Sequence, residues 1–438
     1  MGHDWSVLSS TSDPLRVALL GCGVVGSQVA RLLLESPDDL QARVGRPIEL
    51  VGIGVRHPDA ERPGIDPGLL TGDCESLVTR ADIVVEVIGG LEPARALIRR
   101  AIDHGASVVT ANKALLAAHG PELYQAAQRA GVDLYFEAAV AGAIPIVRPL
   151  RESLVGDEIT TVMGVVNGTT NYILDQMTTD GLSFSAALAQ AQELGYAEAD
   201  PTADVEGYDA AAKASILASL AFHTEIAGDD VHREGITTLT AEDIAAASRL
   251  GYVVKLLAVA TLTEEEPPRV SVRVHPAMVP SDHPLASVRG AYNAVFVESR
   301  NAGHLMFLGP GAGGAPTASA VMGDLVTVGR NRARGTHGPA MTAYTNRSVA
   351  PIGDARTSYY ISLMVQDSPG VLARVASVFG KHGVSIAAVR QTPAADGAML
   401  GIMTHAAREA EVQDTVSELK TVSSAVIGRI RQLRVEGQ

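Results

Sequence analysis

Cysteine is nearly absent: Cys22 and Cys74 are the only two in 438 residues. That is too few for a disulfide framework or a cysteine-rich zinc site, and a reducing, cytoplasmic setting is expected. Positive charge is also short. Thirty-five Lys and Arg stand against 49 Asp and Glu, a formal charge of −14. Nucleic acid and anionic membrane need basic surface, so neither is expected as the main partner, although a local site can still hold a small anion. There is no run of about 20 apolar residues, so no membrane-spanning helix is expected. The opening "MGHDWSVLSSTSDP" has no basic stretch leading into a long apolar one and does not read as a secretory signal. Residues 1–13 read as a polar tail carrying the single tryptophan, Trp5. What is there is globular, 46% hydrophobic and 19% charged. The length exceeds one ordinary core, so two or three domains are expected.

Residues 15–20, "LRVALL", read as a buried strand, "GCGVVG" as a tight turn and "SQVARLLLES" as a helix. Gly21, Gly23 and Gly26 have the G-x-G-x-x-G spacing. Between strand and helix that spacing serves a sharp turn, close approach of backbone to a pyrophosphate, and phosphate binding on the helix N-terminus. A purely structural turn is the alternative. The context favours dinucleotide binding through Gly21, Gly23, Val24, Val25 and Gly26. The next strand, 48–55, ends in Val55 and Arg56, where an NAD site would carry Asp or Glu for the ribose hydroxyls. Arg56 suits a 2′-phosphate, or is simply solvated. Without the acid, NADP is the expected cofactor and NAD the alternative. A strand over 81–90 ends in Gly89 and Gly90, a helix follows, and "ASVVTANKALLAAHG" gives strand, turn and helix again. This alternation predicts a Rossmann-type α/β domain, a parallel sheet covered on both faces, with ligands beyond the C-terminal strand ends. Glu86 to Gly90 and Thr110 to Lys113 fall there. Lys113 reads either as a group beside the nicotinamide or as an ordinary surface helix lysine.

From about residue 133 the pattern changes. "VDLYFEAAVAGAIPIVRPL" is a strand running into small residues. Glu137 and the backbone of 140–142 could gather oxygens around a monovalent cation; a tight turn beneath a site explains the run equally well. "TTVMGVVNGTTNYILDQM" reads as a strand, then Asn167-Gly168-Thr169-Thr170, then a helix. Thr169 or Thr170 can cap that helix while offering hydroxyl and N–H groups to an anion. "SFSAALAQAQELG" is a helix ended by Gly195, "YAEADPTAD" is irregular with Pro201 preventing helix continuation, and "VEGYDAAAKASILASLAFH" is helical. Asp209 and Lys213 stand at i and i+4 on this last helix, close enough to touch. Its Ala, Ile and Leu content predicts burial, where a charged pair must be functional or tightly compensated. Five carboxylates fall in residues 195–213. Of these, Glu198 and Asp204 suit a substrate ammonium, while Asp200 and Glu206 read as facing water. A merely solvated acidic loop is the competing reading.

Residues 331–358 are polar with Gly and Pro, a linker. "YYISLMVQDSPGVLARVASVFGKHGVSIAAVRQT" then gives strand, helix, strand, with Ser368 capping the helix, Pro369 in its first turn and Gly383 ending it. "AMLGIMTH", "REAEVQDTVSELKTV" and "AVIGRIRQLRV" complete a βαββαβ pattern.

"GYAEADPTADVEGYDAAAK" closely resembles the signature of homoserine dehydrogenases. "ANKALL", "FEAAVAGAIPI", "VNGTTNYIL" and "GPGAGGAPTASAVMGD" resemble that family's other blocks in order, and the C-terminal unit resembles an ACT domain. The resemblance implies NAD(P)-dependent interconversion of L-homoserine and L-aspartate 4-semialdehyde, in threonine, methionine and isoleucine biosynthesis. Lys213 matches the proton-transfer lysine, Asp209 its partner, and Lys113 a second lysine that acts in catalysis and touches cofactor. Glu198 and Asp204 match substrate acids, with Gly168, Thr169 and Tyr196 completing the substrate set. Glu137, Val140, Gly142 and Ile144 match a sodium site, the last three through main-chain oxygens. Gly313 falls in the block that returns to the cofactor. The organisation implied is a tail 1–13, a dinucleotide-binding domain 14–134 with a helix returning at about 316–334, an α/β catalytic and dimerisation domain 135–315, a linker 335–357 and an ACT domain 358–438. A homodimer or homotetramer is expected, with threonine as effector near Asp367 to Leu372. An ACT module serving dimerisation alone is the alternative. Two rival functions stay open: a different amino-acid dehydrogenase of the same architecture, and an inactive sensor of dinucleotide and amino acid. The presence of Lys113 and the Asp209–Lys213 pair counts against the sensor.

Overall fold

The computed structural model describes residues 13–339, 345–394, 397–421 and 426–438. Of the expected N-terminal tail only Asp13 is among them, and Trp5 lies outside the described residues. By contacts the chain forms two compact units. One comprises residues up to Ile159 with Ser215–Gly228 and Phe307–Thr345; the other comprises Thr160–Ala214, Asp229–Met306 and Asn346–Gln438. Among the described residues no helix is long and apolar enough to cross a membrane.

The first unit is built on β1 (Leu15–Leu20), β2 (Ile48–Gly54), β3 (Leu70–Thr71), β4 (Ile83–Glu86), β5 (Ser107–Thr110) and β6 (Leu134–Tyr135). They lie in the order β3-β2-β1-β4-β5-β6, every pair parallel. The order reverses between β1 and β4, which makes the doubly wound arrangement and leaves a crevice at the carboxyl ends of those strands. Side chains alternate across β1. Leu15, Val17 and Leu19 enter one core with Val29 and Leu33 of helix Val24–Glu35. Ala18 and Leu20 enter another with Leu97, Ile98 and Leu123. Burial on both faces is why these strands read as unbroken apolar runs. The first core is closed by Ala318, Val321, Leu325 and Val328 of helix Gly314–Arg334, at the spacing of one helix face.

The second unit is organised by β7 (Ile159–Val165), β8 (His232–Arg233), β9 (Tyr252–Leu262), β10 (Val270–Pro280), β11 (Tyr292–Ser299), β12 (Gly303–Pro310), β13 (Arg356–Val365), β14 (Ile386–Ala394), β15 (Gly397–Thr404), β16 (Ala407–Arg408) and β17 (Val426–Val435). The main path is β12-β11-β7-β9-β10-β17-β13-β15-β14, with β8 beside β10 and β16 beside β13. The C-terminal part has the expected βαββαβ order. On β13, Tyr359, Ile361, Leu363 and Val365 alternate onto one face and pack with Val375 and Phe379 of helix Val371–Lys381 and with Val412, Val416 and Leu419 of helix Glu409–Thr421. This layer continues the sheet of the preceding region, because β17 pairs in parallel with β10, Ala277 opposite Arg434 and Met278 opposite Val435.

Three local expectations are corrected. Ser368 does not cap its helix: residues 368–370 form a turn in which Val371 N–H donates to the Ser368 carbonyl at 3.3 Å, and Gly370, at φ 85°, precedes the helix. The stretch expected to be irregular contains a one-turn helix, Thr202–Val205; Pro201 stands directly before it, where the N–H that proline lacks has no helical partner. The strand after residue 133 is only Leu134–Tyr135 and gives way to a 3-10 turn, Glu137–Ala139.

Candidate active site

In the first unit the three turn glycines have separable reasons. Gly21 has φ 101°, and a Cβ there would lie 2.9 Å from the Val87 carbonyl oxygen. A Cβ on Gly26 would lie 2.2 Å from the Gly21 carbonyl oxygen, so helix Val24–Glu35 packs at backbone contact. Gly23 is different. Nothing stands within 4 Å of its Cβ position, no side chain caps the helix, and Val24 beside it is 76% exposed. An open space over an uncapped helix N-terminus fits a pyrophosphate. Val25 packs inward against the core. Gly314 completes the floor: a Cβ there would lie 2.8 Å from the Val24 carbonyl oxygen, and Gly313, at φ 119°, leads the chain into that helix.

Across the crevice, Glu86 ends β4 fully buried. One carboxylate oxygen accepts from Ile88 N–H at 2.8 Å and Gly89 N–H at 3.1 Å, and the other accepts from the Thr110 hydroxyl at 2.5 Å. Asn112 donates to the Gly90 carbonyl at 2.7 Å and caps helix Lys113–Ala130 through Leu115 N–H at 3.1 Å. Glu86, Thr110 and Asn112 thus pin both loops at the carboxyl edge. Gly89, at φ 80°, has open space around it. Lys113 is the first residue of its helix, a place that disfavours a cation electrostatically and so marks a departure from local preference. Arg56 is exposed just past β2, and its loop is folded by Arg62, which donates to the His57 and Ala60 carbonyls.

The Glu137 segment is held by a dense set of hydrogen bonds. The Glu137 carboxylate is spent on protein amides, accepting from Ile146, Val147 and Arg148 N–H at 2.6, 2.7 and 3.0 Å. It anchors the start of the next helical turn. Ala141 and Gly142 both have positive φ, 57° and 59°, and a Cβ on Gly142 would lie 2.4 Å from the Gly311 carbonyl oxygen. Beneath this turn Asp324 accepts from Glu137 N–H at 2.7 Å. Burial, and then the charge of Glu137, pushes the Asp324 carboxyl up to about 7. Arg148 lies beside both acids, Nε 3.4 Å from Glu137 Oε2 and Nη2 3.3 Å from Asp324 Oδ1, and compensates part of their charge. Among the described residues no cluster of three or more His, Cys, Asp or Glu could hold a metal ion.

In the second unit Asp209 and Lys213 meet as their spacing requires. Lys213 Nζ lies 2.8 Å from Asp209 Oδ2, with side chains 9% and 8% exposed, on helix Tyr208–Phe222. Lys213 also donates to the Val166 carbonyl at 2.7 Å. Asn167 donates to Asp204 Oδ1 at 2.6 Å and to Asp209 Oδ2 at 2.9 Å. Asn167, not Thr169 or Thr170, caps helix Gly168–Thr179, its Oδ1 accepting from Thr170 N–H at 2.9 Å. The threonines are already inside the first turn, and Asn167 still has extended backbone, φ −126°. The Thr169 hydroxyl donates to the Tyr196 carbonyl at 2.6 Å, and the Tyr196 ring lies 4.9 Å from that of Tyr172. Gly168 lies against β11's approach: a Cβ there would be 2.7 Å from the Ala291 carbonyl oxygen.

The acids divide differently from expectation at one position. Glu198 is exposed, its carbonyl held by Gln192 at 3.0 Å, and Asp200 turns its carboxylate onto Thr202 N–H at 3.1 Å. Glu206 does not simply face water: it accepts from the Thr237 hydroxyl at 2.9 Å and its carbonyl accepts from Arg233 at 3.1 Å. Asn167 was missed as a site residue because its partners, Asp204 and Asp209, lie some forty positions ahead; the only signal was an Asn directly before a helix that begins with Gly-Thr-Thr.

Comparison with known proteins gives the same reading. Residues 21–137 match the homoserine dehydrogenase NAD binding domain, 145–326 match homoserine dehydrogenase and 359–423 match the ACT domain. The chain is 55% identical over 434 residues to the homoserine dehydrogenase of Mycobacterium tuberculosis, covering 97% of this chain and 98% of that one. It superposes on the crystal structure of a homoserine dehydrogenase from Thiobacillus denitrificans with TM-score 0.91 at 40% identity, covering 97% and 98%. A hyperthermophilic archaeal homoserine dehydrogenase in complex with NADPH aligns at TM-score 0.61 and 26% identity, over 75% of this chain and all of that one. By its Rossmann-type unit, its Asp209–Lys213 centre and these relatives, the chain belongs to the homoserine dehydrogenase family.

Proposed function

We propose that this NAD(P)-dependent oxidoreductase, which acts on a CH–OH group, interconverts L-homoserine and L-aspartate 4-semialdehyde with Lys213 handling the proton. The bound nicotinamide dinucleotide supplies or accepts the hydride. In reduction the aldehyde oxygen becomes an alkoxide, and the Lys213 ammonium stabilises that charge and donates a proton to it. In oxidation the neutral amine accepts the hydroxyl proton, so homoserine oxidation gains with rising pH. Asp209 holds Nζ and compensates its charge. Glu198 and Asp204 hold the substrate ammonium, Thr169 and Tyr196 shape the wall beside it, and Gly168 keeps the helix start close. Lys113 contacts cofactor and assists catalysis.

The observation that carries this is the buried Asp209–Lys213 pair at 2.8 Å, tied through Asn167 to Asp204. NADP as the preferred cofactor is supported by Arg56 past β2 and by the NADPH of the archaeal relative. Glu137 and the carbonyl oxygens of Val140, Gly142 and Ile144 form the site for sodium or a similar cation. The ACT domain supports amino-acid binding, with threonine as feedback inhibitor of a biosynthetic enzyme, in a cytoplasmic homodimer or homotetramer.

The test is initial-rate oxidation of L-homoserine with NADP and with NAD, on the wild type and Lys213→Ala, with and without threonine. The variant should bind cofactor and lose at least ~10²-fold in kcat. A fully active variant would remove Lys213 from the chemistry, and an inert, folded wild type would favour a sensor.

A further inference from the structure

We infer that Asn167 is a positioning residue that holds the substrate acid Asp204 and the lysine's partner Asp209 in one register through a single amide group. The inference rests on the assignment of proton transfer to Lys213. Asn167 is 4% exposed, and its hydrogen-bonding capacity is filled. Its NH2 carries two hydrogens, one to Asp204 at 2.6 Å and one to Asp209 at 2.9 Å. Its carbonyl oxygen accepts from Thr170 N–H and from the Thr170 hydroxyl, both at 2.9 Å. The orientation of the amide follows from these partners, since the flipped amide would set its oxygen against two carboxylates.

Capping alone does not account for an asparagine. Asp, Ser and Thr cap a helix about as well. What they lack is a neutral double donor. Two carboxylates brought to one place repel, and an amide between them replaces that repulsion with two hydrogen bonds to charged acceptors, which are stronger than neutral ones. Asp209 Oδ2 is the oxygen shared by Asn167 and Lys213. The lysine and the amide nitrogen are therefore no further apart than those 2.9 and 2.8 Å links laid end to end. Among the described residues, the charged groups facing Lys213 include Asp209 from its own helix and, through Asn167, Asp204 from the turn Thr202–Val205. Val166, at the end of β7, adds a neutral carbonyl. By drawing on Oδ2, the amide limits how strongly Asp209 holds the lysine's proton. It also sets where Asp204 stands relative to the group that moves that proton.

The experiment compares Asn167→Asp and Asn167→Ser with the wild type, measuring kcat and KM for L-homoserine oxidation across pH, with thermal melting as the fold check. Both replacements keep a cap, but Asn167→Asp sets a third carboxylate beside two and should melt below wild type, whereas Asn167→Ser should melt near it. Asn167→Asp adds a charge close to Lys213, and its ascending pH limb should move alkaline by about one unit. Its kcat should fall ~100-fold and its KM rise. Asn167→Ser should lose ~10-fold with the limb in place. A folded Asn167→Asp with an unmoved limb, or an Asn167→Ser of wild-type kcat and KM, would reduce Asn167 to a helix cap and overturn the inference. The two readings fail differently: full activity in Lys213→Ala removes the lysine assignment, whereas an inert Lys213→Ala with an unmoved Asn167→Asp limb removes only this one.

Discussion

Replacing Glu436 by glutamine should loosen the join between the C-terminal layer and the strand it pairs with, by an amount that depends on pH. Glu436 is 8% exposed and follows β17, its N–H donating to the Met278 carbonyl at 3.1 Å. Its Oε1 accepts from Arg273 Nη2 at 2.7 Å and Nε at 3.2 Å, and His275 Nε2 lies 3.2 Å away. Burial alone would raise the carboxyl, but the Arg273 charge and the His275 and Arg273 contacts outweigh it and bring the pKa to about 2. A folded value below the ordinary 4.5 means that the group stabilises the fold above pH 4.5, with the benefit lost as pH falls toward 2. A shift of about 2.5 units is worth about 3 kcal/mol at pH 7, falling to about 1 kcal/mol at pH 3. Glutamine keeps an acceptor oxygen but removes the carboxylate charge that compensates Arg273, which is 3% exposed, a loss of the same order. Urea unfolding of wild type and Glu436→Gln at pH 7 and pH 3 should therefore show a gap of about 3 kcal/mol that narrows to about 1. A gap within about 0.5 kcal/mol at pH 7, or one of equal size at both pH values, would refute the reasoning.

Arg434, 6% exposed, bridges Glu409 of the C-terminal layer at 2.7 Å and Glu234 of the preceding region at 2.7 Å. Arg434→Met should cost about 3 kcal/mol in urea unfolding, the low end of a broken buried pair because Glu234 is partly solvated; a change under about 1 kcal/mol would count against it. Gly26→Ala should fail to fold or melt far below wild type, because its Cβ meets backbone. Gly23→Ala should melt normally and lose ~10-fold or more in dinucleotide affinity by fluorescence titration; unchanged affinity would remove the pyrophosphate from that turn. Arg56→Ser should raise KM for NADP ~10-fold and leave KM for NAD nearly unchanged, and equal effects on both would deny Arg56 the 2′-phosphate.

How legible each feature was depends on how local it is. The glycine turn, the Asp209–Lys213 pair and the βαββαβ order are spacings within one or two elements, and helix and strand periods turn such spacings directly into geometry. Helix ends were less legible, because several residues in a row can cap: Asn167 took the role expected of Thr169 or Thr170, and a turn at 368–370 displaced Ser368. The use of Glu137 was not legible either, since its carboxylate is claimed by amides nine to eleven residues on, at a bend no periodicity marks.

By itself the sequence determined the parallel dinucleotide-binding sheet, the helix that carries Lys213 and the C-terminal βαββαβ unit. The tertiary structure alone decided that Asn167 joins Asp204 to Asp209, and that β17 enters the sheet beside β10 with Arg434 and Glu436 buried in ion pairs. The physical reason is the same in each case. Repeat and spacing specify what neighbours along the chain do, whereas a buried amide or guanidinium finds its partners only once distant segments have packed and the cost of leaving it unpaired selects among them.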